Sequence, residues 1–141
     1  MHELYHKSDE LTRVAIGAAI EVHRTMGPGL IESIYERCVM RELELRGIGS
    51  VNQRQVRIEY KGLMFEEPLR FDILAENCLL LELKCAQEIL SIHKAQLLSY
   101  MKLLNIPLGL IINFYETKLT DGITRMILPG ANRNEKAGNI N

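Results

Sequence analysis

Three consecutive segments restrict the fold of this chain more than any others do. Residues 78 to 84 form an apolar run of strand length, residues 92 to 104 show helical spacing, and residues 108 to 114 are apolar almost throughout. A near-continuous apolar strand is typical of a sheet that is covered on both faces. A strand, a helix and a second buried strand imply a right-handed parallel crossover. The sequence therefore predicts an α/β protein.

Two helical patterns come before these segments. Ser8 is a suitable N-cap for a first helix that ends at Gly27-Pro28-Gly29, and a second helix spans about 30 to 46. The apolar period then becomes twofold around 55 to 60, and further strands follow at 69 to 75 and near 123 to 128. We expect the order α-α-β-β-β-α-β-β and one mixed sheet with helices against it.

The composition is that of one globular domain. The 141 residues are 47% hydrophobic, and we expect a single domain over 1–128 followed by a flexible tail over 129–141. No apolar run approaches the ~20 residues that cross a bilayer, and the N-terminus lacks a signal-peptide pattern. Three cysteines without metal spacing predict free thiols and a cytoplasmic protein without a membrane partner. The net charge of −1 argues mildly against a protein that coats nucleic acid.

The spacing between Asp72 and Glu82 depends on the loop between their strands. With a two-residue turn at Glu76-Asn77, residue 72 would face Leu81, whereas a three-residue loop would place it opposite Glu82. Asn77 tolerates the positive φ that such loops need. A functional role for both acids selects the three-residue loop.

Two adjacent carboxylates and a lysine can support metal-dependent chemistry. Asp72 and Glu82 would either raise one pKa or bind a cation, and their oxygens suit Mg²⁺ or Mn²⁺. The backbone carbonyl of Leu83 could supply another ligand. Lys84 shares a strand face with Glu82 and could stabilise a phosphate or a metal-bound water. The alternative is a Glu–Lys pair at an exposed strand end, which the E-x-K tripeptide alone would favour.

Polar residues also lie on the two flanking helices. Gln96 and Tyr100 are i, i+4 neighbours on the third helix, near His93, and could reach a phosphate or a bound water. A structural role is the better interpretation of Tyr100 alone, and the two interpretations are balanced for Gln96. On the second helix, Glu32 and Tyr35 begin a row of residues that share one helix face. Glu32 is either a residue of the site or an acid that is favoured in the first turn by the helix dipole. We expect Glu36 to be solvated. His23 is either a partner of the C-terminal dipole of the first helix, which is the favoured interpretation, or a site residue.

Five segments resemble the GxxExxY protein family. They are 29 to 35, which contains Gly29, Glu32 and Tyr35, and 71 to 74, 81 to 84, 93 to 100 and 109 to 114. The resemblance covers about 8 to 128. That family is assigned to the PD-(D/E)XK nuclease superfamily, so the resemblance implies a restriction-endonuclease-like core of order α-β-β-β-α-β, with a mixed central sheet flanked by helices. Phe71 stands where the superfamily's name has proline.

The resemblance also implies a role for each candidate residue. Asp72 and Glu82 become metal ligands and Lys84 the catalytic lysine. Gln96 becomes a catalytic-site residue, Glu32 an additional metal-site acid, and Tyr100 and Tyr35 supporting residues.

The predicted function is Mg²⁺- or Mn²⁺-dependent hydrolysis of nucleic-acid phosphodiester bonds, with DNA as the favoured substrate. The alternative is a catalytically silent protein of the same fold that binds nucleic acid or a protein partner. A homodimer is compatible with either function, and the sequence does not distinguish an endonuclease from an exonuclease.

Overall fold

A computed structural model describes residues 1–134 of the chain. Its elements, numbered in chain order, are helices α1 (Tyr5–Met26), α2 (Glu32–Leu45) and α3 (Ser91–Leu104), strands β1 (Ser50–Tyr60), β2 (Leu63–Ala75), β3 (Leu79–Lys84), β4 (Leu108–Asn113) and β5 (Ile123–Ile127), and a 3-10 turn at Leu119–Gly122. This order confirms the predicted α/β succession. No helix in this part of the chain is both long and apolar enough to cross a bilayer.

The strands form one mixed sheet of order β1-β2-β3-β4-β5. The β3–β4 pair is parallel and the other pairs are antiparallel, so α3 forms the predicted crossover between the two central strands. Every residue of β4 is buried, as expected for a strand between two neighbours and covered on both faces.

Two apolar layers lie on opposite sides of the sheet. Alternate residues Leu79, Leu81 and Leu83 of β3 pack in a cluster with α1 and α2. Leu80 belongs to a second cluster, which contains Leu97 and Met101 of α3. Because strand side chains alternate between faces, Glu82 and Lys84 fall on the α3 side of β3.

The predicted N-cap at Ser8 is wrong. Helix α1 begins at Tyr5, and Ser8 lies inside it, fully buried. Its hydroxyl donates a 2.6 Å hydrogen bond to the backbone carbonyl of Cys78. The serine therefore joins α1 to the loop between β2 and β3 instead of capping the helix.

His23 and the chain end also make contacts that the sequence did not indicate. His23 lies in the last turn of α1, as expected, and its Nε2 also donates to the backbone carbonyl of Glu116 at 2.8 Å, so this ring joins α1 to the loop after β4. Ala131 is buried and its carbonyl accepts a 2.9 Å hydrogen bond from the backbone of His2. Part of the predicted tail therefore packs on the domain, and residues 135–141 of it lie outside the described residues.

Candidate active site

The candidate site lies where β2 and β3 separate. Their pairing runs from Ala75–Leu79 to Ile73–Leu81 and then stops. The connecting loop is the three-residue one, with Glu76 and Asn77 at positive φ. The next positions in this register are residues 72 and 82, so the predicted odd loop is confirmed and places Asp72 opposite Glu82.

The pairing of β2 with β1 is interrupted by a bulge around Asp72. Between Val51 and Gln53 of β1, the paired residues on β2 move from Leu74 to Arg70, so β2 has extra residues there. Bulges bend a strand and redirect side chains, and they are common next to active sites. Here the Asp72 side chain accepts a hydrogen bond from β3, in place of a backbone carbonyl of β2.

Asp72 is held by the backbone of β3. The Leu83 N–H donates a 2.7 Å hydrogen bond to Asp72 Oδ2. The backbone of Asp72 in turn hydrogen-bonds the Glu82 carboxylate, and this contact opposes the overall rise in the pKa of Glu82. These reciprocal contacts fix the two acids beside each other at the opening between the strands.

Glu82 is a buried acid beside a lysine. It is 6% exposed, and its Oε2 lies 3.9 Å from the Lys84 Nζ, as expected for alternate residues on one strand face. Burial and the Asp72 charge raise the pKa of Glu82 to about 7, although Lys84 acts in the opposite direction. The lysine therefore offsets only part of the cost of the buried carboxylate.

Helix α2 brings two more acids to the site. Glu32 Oε1 accepts a 3.3 Å hydrogen bond from the Cys85 backbone, one residue beyond Lys84. Glu36 is half-buried, and burial together with its hydrogen bond to Asp72 and that residue's charge raises the pKa of Glu36 to about 7. The expectation that Glu36 is solvated is therefore wrong. Its i, i+4 relation to Glu32 was the available signal, because such residues share a helix face.

Tyr35 has a structural position, not a place among the acids. It is fully buried and its ring stacks on Phe114, with the centroids 4.3 Å apart. Its hydroxyl donates to the Gly27 carbonyl and accepts a 3.2 Å hydrogen bond from the Leu30 N–H. Tyr35 therefore fixes the loop that leads into α2 and, through it, the start of the helix that carries Glu32.

The structure does not join the polar residues of α3 to the acids by hydrogen bonds. The Gln96 side chain is exposed and makes no hydrogen bond within residues 1–134. Tyr100 is half-buried and packs against the second apolar cluster, and the His93 Nδ1 accepts a 3.1 Å hydrogen bond from the Leu90 N–H. His93 therefore stabilises the first turn of α3.

Asn113 is a positioning residue that the sequence interpretation missed. It is 1% exposed at the end of β4. Its amide donates to the Ala86 carbonyl at 2.7 Å, and its Oδ1 accepts from the Ala86 N–H at 3.1 Å. The side chain thus fixes the chain just after Lys84. A lone amide at the end of an otherwise apolar run was its signal in the sequence.

The donor set fits a hard divalent ion, but the acids are not closely gathered. Carboxylate oxygens suit Mg²⁺ and Mn²⁺, and the pKa values of Glu82 and Glu36 are raised first by burial and then by neighbouring negative charge, which a cation would offset. Within residues 1–134, the His, Cys, Asp and Glu side chains form no group of three or more that could hold a metal ion. The described side chains would have to move closer together to bind one.

Comparison with known proteins gives one match. The family model described as the PD-(D/E)XK nuclease superfamily matches residues 9–126, which include every acid of the site. No curated protein and no solved structure matches the chain.

Proposed function

The chain belongs to the PD-(D/E)XK nuclease superfamily, and from this premise we propose that it hydrolyses phosphodiester bonds in DNA with Mg²⁺ or Mn²⁺. The observation that carries the proposal is the position of Asp72 beside the buried Glu82, with Lys84 on the same strand face as Glu82. An uncompensated buried carboxylate is costly, so its presence beside a second acid is explained by a positively charged ligand.

The metal ligands in this proposal are Asp72, Glu82 and the carbonyl of Leu83. The Leu83 N–H points towards Asp72, and the N–H and C=O of one strand residue point to the same side. Because pairing with β2 has already stopped at Leu81, the Leu83 carbonyl faces the opening on the side of Asp72. A bound ion would supply an acidic water and positive charge next to the phosphate.

Lys84 has a distinct proposed role. Its side chain is mostly buried, with an exposed fraction of 19%, so its charge is little screened by water. We assign it the stabilisation of negative charge that develops on the phosphate during attack. Its ammonium donates protons in hydrogen bonds and cannot itself bind the metal.

The remaining predicted residues support this centre. Glu32 and Glu36 add negative charge from α2, and we propose that Glu32 is the additional metal-site acid. Gln96 and Tyr100 are proposed to contact the substrate backbone from α3, and the exposure of Gln96 makes it accessible to a large ligand.

A finer assignment, to the GxxExxY family, is also proposed. Gly29 adopts a φ of +93°, which favours glycine, in the loop that the Tyr35 hydroxyl fixes at Gly27 and Leu30. Glu32 begins the helix that follows. Gly29, Glu32 and Tyr35 of the signature therefore all lie at, or bond to, the junction between this loop and α2, which supports the assignment.

All three cysteines are free thiols, which supports a cytoplasmic location.

Cleavage of mixed nucleic acids with Mn²⁺ tests the proposal. Asp72→Asn is the sharpest variant, because an amide oxygen can still accept the Leu83 N–H while the charge is lost. We expect cleavage by the wild type and none by Asp72→Asn. Asp121→Asn is the matched control, since this exposed aspartate lies on the 3-10 turn and outside the acid group. Equal cleavage by wild type and Asp72→Asn would contradict the proposal.

A second candidate is a protein of this fold that binds nucleic acid or a protein without cleaving. It is favoured by the absence, within residues 1–134, of a group of three ligands that could hold a metal, and by the net charge of −1. A gel-shift assay on the same substrates distinguishes the two functions. Binding that is retained in Asp72→Asn, without cleavage by the wild type, would support this second candidate.

A further inference from the structure

Strand β1 forms an outer edge of the sheet, and most of its residues are exposed. Within residues 1–134 it pairs only with β2. The β1–β2 hairpin extends well beyond β3, which reaches only as far as Ile73 on β2. Long unpaired edges bind further strands unless their side chains prevent it.

The free end of this hairpin has an apolar face. Cross-strand partners share a face, so Ile58 lies beside Phe65, and Tyr60 beside Leu63. Tyr60 is 63% and Leu63 60% exposed. Such a cluster of large apolar side chains at a strand end indicates an interaction surface.

The charges near this edge argue against nucleic acid as its occupant. Residues 53 to 70 carry four basic and three acidic side chains, so the hairpin is close to neutral. A strand that binds a phosphate backbone needs a clear positive excess. On the face opposite the apolar one, Arg57 and Glu59 alternate along β1, and both are exposed.

We propose that β1 pairs with β1 of a second copy of this chain, antiparallel, across a two-fold axis at Ile58. In this register Ile58 faces Ile58 of the partner subunit, and Val56 faces Tyr60 of the partner subunit. Each Arg57 faces Glu59 of the partner subunit, and the symmetry produces this ion pair twice. A two-fold axis normal to the sheet keeps each face with its equivalent, so apolar residues meet apolar residues.

The neighbouring registers are unfavourable. An axis at residue 57 would place the two Arg57 side chains together, and an axis at 59 would do the same with Glu59. An axis at Val56 would set Arg54 beside Ile58. Like charges directly opposite each other destabilise a ladder and opposite charges stabilise it. An axis at Tyr60 would place the partners of Ile58 and Glu59 in the turn beyond the end of β1. The charges and the strand end together therefore select the axis at Ile58.

Sedimentation equilibrium from micromolar to hundreds of micromolar protein at low ionic strength tests this pairing. We expect a reversible dimer. Glu59→Arg should lower the association constant about tenfold or more, since two attractive pairs become repulsive while its own cross-strand neighbour, Met64, is uncharged. The double variant Arg57→Glu/Glu59→Arg should restore it, because the pairs re-form with reversed signs. Asp121→Arg is the matched control, as this exposed residue lies in the 3-10 turn before β5, at the opposite edge of the sheet.

Circular dichroism checks that each variant folds. Ile58→Arg provides a test that does not depend on the ion pairs. It places two cations on the axis and should abolish the dimer. A monomeric wild type would overturn the proposal. So would a dimer that Glu59→Arg leaves intact, a double variant that folds but is not restored, or an Asp121→Arg variant that weakens association equally. These outcomes are independent of cleavage, so the pairing and the proposed nuclease function can fail separately.

Discussion

The Leu83 backbone N–H donates a hydrogen bond to the Asp72 carboxylate at the point where β2 and β3 stop pairing. A side chain thus replaces the missing backbone acceptor of the ladder. Because the bond is formed to a charged group, it contributes about 1.5–3 kcal/mol, more than a neutral one. Asp72 therefore stabilises the opening between the strands and also supplies its negative charge, and these two roles can be separated by substitution.

Lys84→Ala should separate catalysis from metal binding. The substitution removes a cation that is not a metal ligand, so stabilisation by Mn²⁺ should persist while turnover falls ~10²-fold or more. Cleavage rate and Mn²⁺-dependent melting temperature measure the two effects. Lys94→Ala is the control, because this exposed lysine on α3 makes no ion pair within residues 1–134. Loss of Mn²⁺ stabilisation in Lys84→Ala would contradict the assigned role.

The sequence predicted the part of the site that follows from strand parity. Alternation places Glu82 and Lys84 on one face, and an odd loop places Asp72 opposite Glu82. The strand period can be counted in the sequence, whereas the loop allowed two or three residues, and the three-residue loop was selected because a functional role for both acids requires it. The central strands were also predicted, as their apolar runs are long.

The contacts that depend on distant segments could not be predicted. Ser8 resembles an N-cap by its type and its neighbours, yet its hydroxyl binds the carbonyl of Cys78, 70 residues away. Glu36 shares a helix face with Glu32, which can be read from the sequence, but its contact with Asp72 depends on how α2 packs against the sheet. The packing of helices on the sheet decides both cases, and helical periodicity does not show which neighbour will be close.

Tyr35→Phe should destabilise the protein without removing the ring stacked on Phe114. The loss of the hydroxyl leaves the Gly27 carbonyl and the Leu30 N–H without their shared partner, which should lower the free energy of unfolding by about 1–2 kcal/mol. Urea unfolding measures the change. Tyr115→Phe is the control, because that tyrosine is 47% exposed. An equal loss in both variants would contradict the role of Tyr35 in fixing the loop.

Glu82→Gln should remove part of the pH dependence of stability. A carboxyl whose pKa is raised from 4.5 to about 7 binds more protons in the folded state than in the unfolded state between these pH values. Its contribution to stability is therefore full below about pH 4.5, falls as the pH rises towards about 7, and stays low above it. The melting temperature of the metal-free wild type should drop over this range relative to Glu82→Gln, and the variant should be the more stable at pH 8. Identical pH profiles in metal-free buffer would show that Glu82 does not titrate in this range.

Mn²⁺ should stabilise the wild type and not Glu82→Gln. Asp72 and Glu82 repel each other in the metal-free protein, and a bound cation would reverse that repulsion. At ten times the dissociation constant, binding contributes about 1.4 kcal/mol, which corresponds to a rise of about 2–5 °C in melting temperature. The measurement is a thermal melt at pH 8 with and without millimolar Mn²⁺, with Glu10→Gln as the control because Glu10 is an exposed acid of α1. A wild type that Mn²⁺ does not stabilise, together with a Glu82→Gln variant less stable than the metal-free wild type, would show that Glu82 is held by Lys84 or another structural partner. The non-catalytic function would then be the better explanation, because a buried acid that its structural partners stabilise has no need of a metal.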